Sequence, residues 1–121
     1  MTENFSIAEF QCKCGCKMPL EVTANIEELA EELQFLRNIV DSSITINSAY
    51  RCPDHNKSVG GVKNSQHLLG KASDIVVQGK KPSDTYKLIE DLIKNGVMEE
   101  GGLGSYNTFT HYDIRGTKAR W

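Results

Sequence analysis

No apolar run in the 121-residue sequence comes near the roughly 20 residues that a membrane-spanning helix requires, so no such helix is expected. Neither sign of charge is in surplus. With 14 basic against 16 acidic side chains the net charge is −2, which argues against a nucleic-acid binder that works by counterion release. The same balance offers no strong electrostatic adhesion to an anionic polymer. Internal repeats and low-complexity stretches are absent. The opening Met-Thr-Glu-Asn-Phe-Ser has no basic segment followed by a long apolar one, so no signal peptide is expected. What remains is ordinary for a soluble globular chain, 39% apolar and 25% charged. Its length suits a single domain over residues 1–121 with one core, the first 22 residues forming an arm with a cysteine-rich loop.

Taken in order, Phe5 to Phe10 reads as a short helical turn capped by Ser6, with Ile7 and Phe10 turned inward. From Asn25 to Val40 the residues Ile26, Leu29, Leu33, Leu36 and Val40 recur at helical spacing, and Asn25 with Glu28 resembles a capping box. The acidic run Glu27, Glu28, Glu31 and Glu32 is the solvated face of that scaffold helix, favoured near its start by the dipole. Asp41 to Ser43 breaks the helix, and Ile44 to Ser48 alternates as a strand leading to Tyr50 and Arg51. His55 is expected at a turn or helix cap. Gly60-Gly61 opens a flexible loop, and Ala72 to Val77 reads as a buried strand. Pro82 and Ser83 begin a second helix with Tyr86, Ile89, Leu92 and Ile93 on its apolar face, closed by Gly96. Asn107-Thr108 predicts a turn between Tyr106 and Phe109 in a terminal hairpin. Two main helices on a small, mainly antiparallel sheet make an α+β domain.

Two stretches carry chemistry. In Ser65 to Asp74, His67 and Asp74 flank Gly70, whose backbone freedom would let an imidazole and a carboxylate face one ion. In the terminal hairpin, His111 and Asp113 are two apart on a strand and share a face about 6.5 to 7 Å apart. His111 would then be a third ligand, with Asp113 beside the open coordination position. Three protein ligands and a water are the makings of a catalytic zinc site. The plainer reading of a His and an Asp at arbitrary spacing is a surface pair or a hydrogen-bonded turn. Arg51 has two readings as well: a bidentate clamp on a substrate carboxylate, or a partner for a structural aspartate.

The four cysteines lie at positions 12, 14, 16 and 52. A cross-link from one of the first three to Cys52, tethering the arm beside Tyr50-Arg51, is preferred over a second, thiolate metal site, because the Cys-x-Cys-x-Cys spacing is tighter than the usual Cys-x-x-Cys knuckle. Free, reduced thiols are the third reading.

Ser65-x-His67-x-x-Gly70-x-Ala72-x-Asp74, the later His111-x-Asp113 and the upstream Ser48-Ala49-Tyr50-Arg51 together resemble the zinc D-alanyl-D-alanine carboxypeptidase family of peptidoglycan peptidases. That family includes phage endolysins that cut L-alanyl-D-glutamate bonds and shares its fold with hedgehog signalling domains. The resemblance runs from about Phe5 to Trp121. It implies one zinc ion held by His67, Asp74 and His111, with Asp113 as catalytic base and Arg51 near the substrate. Ala49 stands where the family usually has glycine in Ser-Gly-Tyr-Arg, and the Glu-x-x-His pair of some members is missing. The resemblance further implies a peptidoglycan stem peptide or cross-link as substrate, cut as a carboxypeptidase or an endopeptidase, with neither nucleic acid nor membrane as partner and a monomeric state. A wall-directed enzyme without a signal peptide would leave by a phage holin or act as a mature, processed chain. The rival from another class is an inactive zinc-containing module that binds the cell wall or a partner.

Overall fold

The computed structural model describes residues 1–121. After a 3-10 turn at Ile7–Phe10 come α1 (Leu20–Val40), β1 (Ile44–Ser48), α2 (Pro53–Ser58) and a second 3-10 turn, Gln66–Leu69. Then follow β2 (Ala72–Val77), α3 (Pro82–Lys94), β3 (Gly102–Ser105), β4 (Thr110–Asp113) and β5 (Ala119–Arg120). The five strands form one sheet in the order β1-β2-β4-β3-β5, antiparallel except for the β3–β5 pair. This is the expected α+β architecture. No helix is long and apolar enough to cross a membrane.

Strand alternation divides the sheet into two faces. Ile44 and Ile46 of β1, Ile75 and Val77 of β2, Tyr112 of β4 and Leu103 of β3 lie on one face and join the core with Ile26, Leu29, Leu33 and Leu36 of α1 and Ile89 of α3. The other face carries polar residues. Register decides which of them meet: Ser48 stands opposite Asp74, Asp74 opposite His111, and His111 opposite Gly104. One row across four strands therefore holds a hydroxyl, a carboxylate, an imidazole and an empty place.

The elements differ from expectation at their ends. Helix α1 begins at Leu20 behind Pro19, so Asn25 lies inside it and the acidic run falls mid-helix, beyond the first turn where the dipole acts. Freed from capping, the Asn25 amide donates to the Leu69 carbonyl at 2.8 Å and ties α1 to the turn that carries His67. At the first 3-10 turn Phe10 is fully buried but Ile7 is exposed. Helix α2, unforeseen because it is so short, holds His55 in its first turn, where its N–H donates to Cys52 Sγ. On α3 only Ile89 of the apolar set is fully buried, while Tyr86, Leu92 and Ile93 pack at the core margin.

The chain's end is fastened by Arg120, whose guanidinium donates to both oxygens of Glu90 (2.7 and 3.1 Å) and to Glu100 (2.7 Å). These bonds hold both glutamates below the ordinary value of 4.5. A lowered folded pKa means the stabilisation is complete above the unfolded value and fades as the pH falls through the folded one. Glu90→Gln/Glu100→Gln should thus melt about 3 to 6 °C below wild type near neutral pH, the modest size expected of partly exposed pairs. The gap should narrow in acid, as the pH falls through the lowered folded values. Thermal melts at neutral and acid pH check this, and a gap that is unchanged by acid refutes it.

Candidate metal centre and its cleft

Three potential ligands come from two sources. Asp74 and His111 are direct cross-strand neighbours on β2 and β4, whereas His67 arrives on the 3-10 turn Gln66–Leu69. Ser65 caps that turn, its hydroxyl accepting the His67 N–H at 3.1 Å, and Gly70 ends it at φ +74°. The glycine is required twice over: the left-handed φ disfavours a side chain, and a Cβ there would sit 2.7 Å from Val22 Cγ1 of α1.

The outer nitrogen of each imidazole is anchored. His67 Nδ1 lies 2.6 Å from the Ala49 carbonyl, which can only accept, so the proton sits on Nδ1 and the Nε2 lone pair faces inward. His111 Nε2 lies 2.7 Å from Asp113 Oδ2, which likewise directs the lone pair of Nδ1 inward. Both lone pairs meet Asp74 Oδ1, at 3.3 Å from His67 Nε2 and 3.1 Å from His111 Nδ1. Three buried acceptors that converge with no proton between them repel one another unless a cation joins them.

The spacing suits zinc. Bonds of about 2.0 to 2.2 Å at tetrahedral angles separate two ligands by roughly 3.3 to 3.6 Å, close to the distances observed. The donor set of two imidazoles and a carboxylate is one zinc accepts, and anchoring of the outer imidazole nitrogen is the usual support for such ligands. Proton binding reports the same field. Burial pushes the His111 pKa down, but the Asp113 and Asp74 carboxylates outweigh it and raise it above the ordinary value. Burial likewise raises Asp74, and the His111 and His67 imidazoles beside it, when a proton takes the place of the metal on their inward nitrogens, more than reverse it, holding the carboxyl well below the usual range. The site is built to hold positive charge.

Arg51 satisfies both of its readings. It donates to Asp74 Oδ2 at 3.2 Å, to Ser48 Oγ at 3.0 Å and to Asn56 Oδ1 at 3.2 Å, and it also lines a cleft of about 440 Å³ above the three ligands. Of its five N–H donors these contacts use three, leaving one on each terminal nitrogen. His55 takes no part in the centre, in line with its expected place at a helix start.

Asp113 sits elsewhere than expected. It is fully buried, outside the cleft lining, and both its oxygens are taken. Oδ1 accepts from the Gly102 N–H (2.8 Å), the Arg115 N–H (3.1 Å) and Arg115 Nε (2.9 Å), while Oδ2 takes His111 Nε2 and Arg115 Nη2, both at 2.7 Å. The strand period does place it on the His111 face. Arg115 and the β3 backbone then draw the carboxylate behind the imidazole, away from any open coordination position. Burial raises its pKa, but His111 and Arg115 outweigh that and hold it well below the usual range.

An aromatic wall was not foreseen. Tyr106 and Phe109 stack at 4.5 Å, Trp121 lies 4.9 Å from the His111 ring, and its Nε1–H donates to the Tyr106 hydroxyl at 2.7 Å. Arg115 adds a cation over the indole, 5.4 Å from its centroid. The signal lay in Gly101-Gly102-Leu103-Gly104: a Cβ on Gly102 would collide with the Asp113 carboxylate, and one on Gly104 with the Trp121 ring. Glycines in a strand often mark such close approach.

Compared with known protein families, the chain matches the family model described as Peptidase M15 over residues 3–113. No curated protein matches it.

Proposed function

Since the chain belongs to the peptidase M15 family, and so to the metallopeptidases, we propose that it hydrolyses D-amino-acid-containing peptide bonds of peptidoglycan stem peptides or cross-links, with one zinc ion held by His67, Asp74 and His111. The convergence of three proton-free donors at the floor of an open cleft carries this reading. Zinc, when bound, supplies a Lewis acid that polarises a scissile carbonyl and activates water at neutral pH.

The chain's own residues do the rest. Ala49 and Asp113 fix the tautomers of His67 and His111, so both rings present lone pairs without reorganising. Arg51 shares Asp74, leaving Oδ1 for the metal, and its two free N–H groups suit the carboxylate of a terminal D-alanine or a D-glutamate. The Tyr106, Phe109 and Trp121 wall gives the peptide an apolar surface beside His111 and shields that side of the centre from water. Asp113 is a positioning residue that acts through His111.

Mass spectrometry of purified peptidoglycan after digestion, with and without chelator, tests the reading. New free D-alanine marks a carboxypeptidase, and new D-glutamate amino termini mark an endopeptidase. A zinc-loaded protein that generates no new termini is a binding module, and the proposal falls. The clamp has its own test: Arg51→Lys should keep the metal but raise KM by about tenfold or more, since a lysine cannot offer a planar fork. An unchanged KM removes Arg51 from substrate binding.

A further inference from the structure

Four thiols converge where the N-terminal arm meets the turn after β1. We propose that Cys12, Cys14, Cys16 and Cys52 hold a second zinc ion, a structural one, that clamps the arm to the Tyr50-Arg51 turn. Their sulfurs all lie within 4.8 Å of one another. Cys12–Cys14, Cys14–Cys52 and Cys12–Cys52 are separated by 3.3, 3.5 and 3.8 Å. Zinc–sulfur bonds of about 2.3 Å at tetrahedral angles place sulfurs roughly 3.8 Å apart. Disulfides would instead join the sulfurs two by two at about 2.05 Å, whereas all four cysteines are free and three are in mutual contact. The cross-link to Cys52 expected from the sequence is therefore not formed.

The loop explains how so tight a spacing works. On an extended strand Cys12, Cys14 and Cys16 would spread their sulfurs by about 6.5 to 7 Å per step, too far for one ion. The chain turns instead: the Gly15 N–H donates to the Cys12 carbonyl at 3.0 Å, and Gly15 adopts φ +84°. Two backbone donors point at sulfur, the Cys52 N–H at Cys12 and the His55 N–H at Cys52, each at 3.4 Å, an arrangement that favours thiolates. Four thiolates around a divalent ion carry a net charge of 2−, which Lys13 and Lys17 of the same loop offset.

The clamp bears on the centre in the cleft. Tyr50 N–H donates to the Phe10 carbonyl at 3.1 Å, Ala49 supplies the carbonyl that orients His67, and Arg51 holds Asp74. The second ion would thus fix the turn that carries two of the outer supports of the first.

Metal analysis and cobalt substitution test this on the full chain purified under reductant. Wild type should carry two zinc ions, His67→Ala one, and Cys14→Ser/Cys16→Ser should lose one. With cobalt, wild type and His67→Ala should both show thiolate-to-metal charge-transfer absorption, which the His67, Asp74 and His111 centre cannot give because it has no sulfur. Chelator should lower the melting temperature of His67→Ala by on the order of 10 °C or more. The cobalt spectrum of His67→Ala decides the matter even if the cysteine variant does not fold, and it does so whether or not the cleft proves to be a peptidase. Cobalt bound without charge transfer, no metal in His67→Ala alongside four free thiols, or two disulfides in the denatured, unreduced protein would each overturn the proposal.

Discussion

His67→Ala should lose peptidoglycan hydrolysis by three orders of magnitude or more, along with the zinc ion of the cleft, because Asp74 and His111 alone make an inadequate site. The loss should be local. His67 is held by its own turn, through the Ser65 cap and the Asn25 bond to Leu69, and neither contact involves the imidazole. The substitution does strip the Ala49 carbonyl of its partner, at a cost of about 1 to 3 kcal/mol if the group stays dry, which a melting curve will register as a modest shift. Metal content, turnover and melting temperature measured on one preparation separate these effects. A variant with wild-type turnover and full zinc at the cleft would remove His67 from the ligand set. Excess zinc should not restore activity, since the third donor is missing rather than weakened.

What the sequence could and could not disclose follows from the range of the interactions. Periodicity found both main helices and β1, because burial of one face imposes a local repeat, whereas β2 was legible as a buried strand and β4 through the turn at Asn107-Thr108. Ligand chemistry and the family resemblance, rather than periodicity, named His67, Asp74 and His111 as candidates for one centre, and the structure brings their donor atoms together. Register was not legible. That Ser48, Asp74, His111 and Gly104 form a single row depends on how four strands slide against one another, which no local pattern states. The same holds for Arg115 and Trp121, which reach the site from the chain's end, and for Asn56, which steadies Arg51 from α2. Alternation put Asp113 on the correct face but could not tell that Arg115 and the Gly102 amide would claim its carboxylate. For the cysteines, the spacing rule presumes a knuckle or an extended chain, and Gly15 makes the loop neither.

Asp113→Asn distinguishes a carboxylate that orients His111 from one that carries a proton. The amide keeps the shape but accepts the His111 N–H more weakly and leaves Arg115 without its counter-charge beside a buried imidazole. Loss of such an outer partner typically costs ten- to a hundredfold in metal affinity, so at limiting zinc turnover should fall by about that factor. Breaking a buried pair on one side costs about 3 to 5 kcal/mol, and with Arg115 partly open to solvent the lower end is expected, or roughly 10 °C in melting temperature. Because the wild-type carboxyl is held below its ordinary value of 3.8, this stabilisation is complete above that pH and fades only as acid reaches the lowered folded value. The deciding measurement is turnover at saturating zinc. A positioning role predicts recovery to within a few-fold of wild type, since the metal once bound holds His111 in place. A base would leave the chemical step down by two orders of magnitude or more with the zinc site full. That second outcome would require Asp113 to leave Arg115 and turn toward the cleft during catalysis, and would overturn its assignment as a positioning residue.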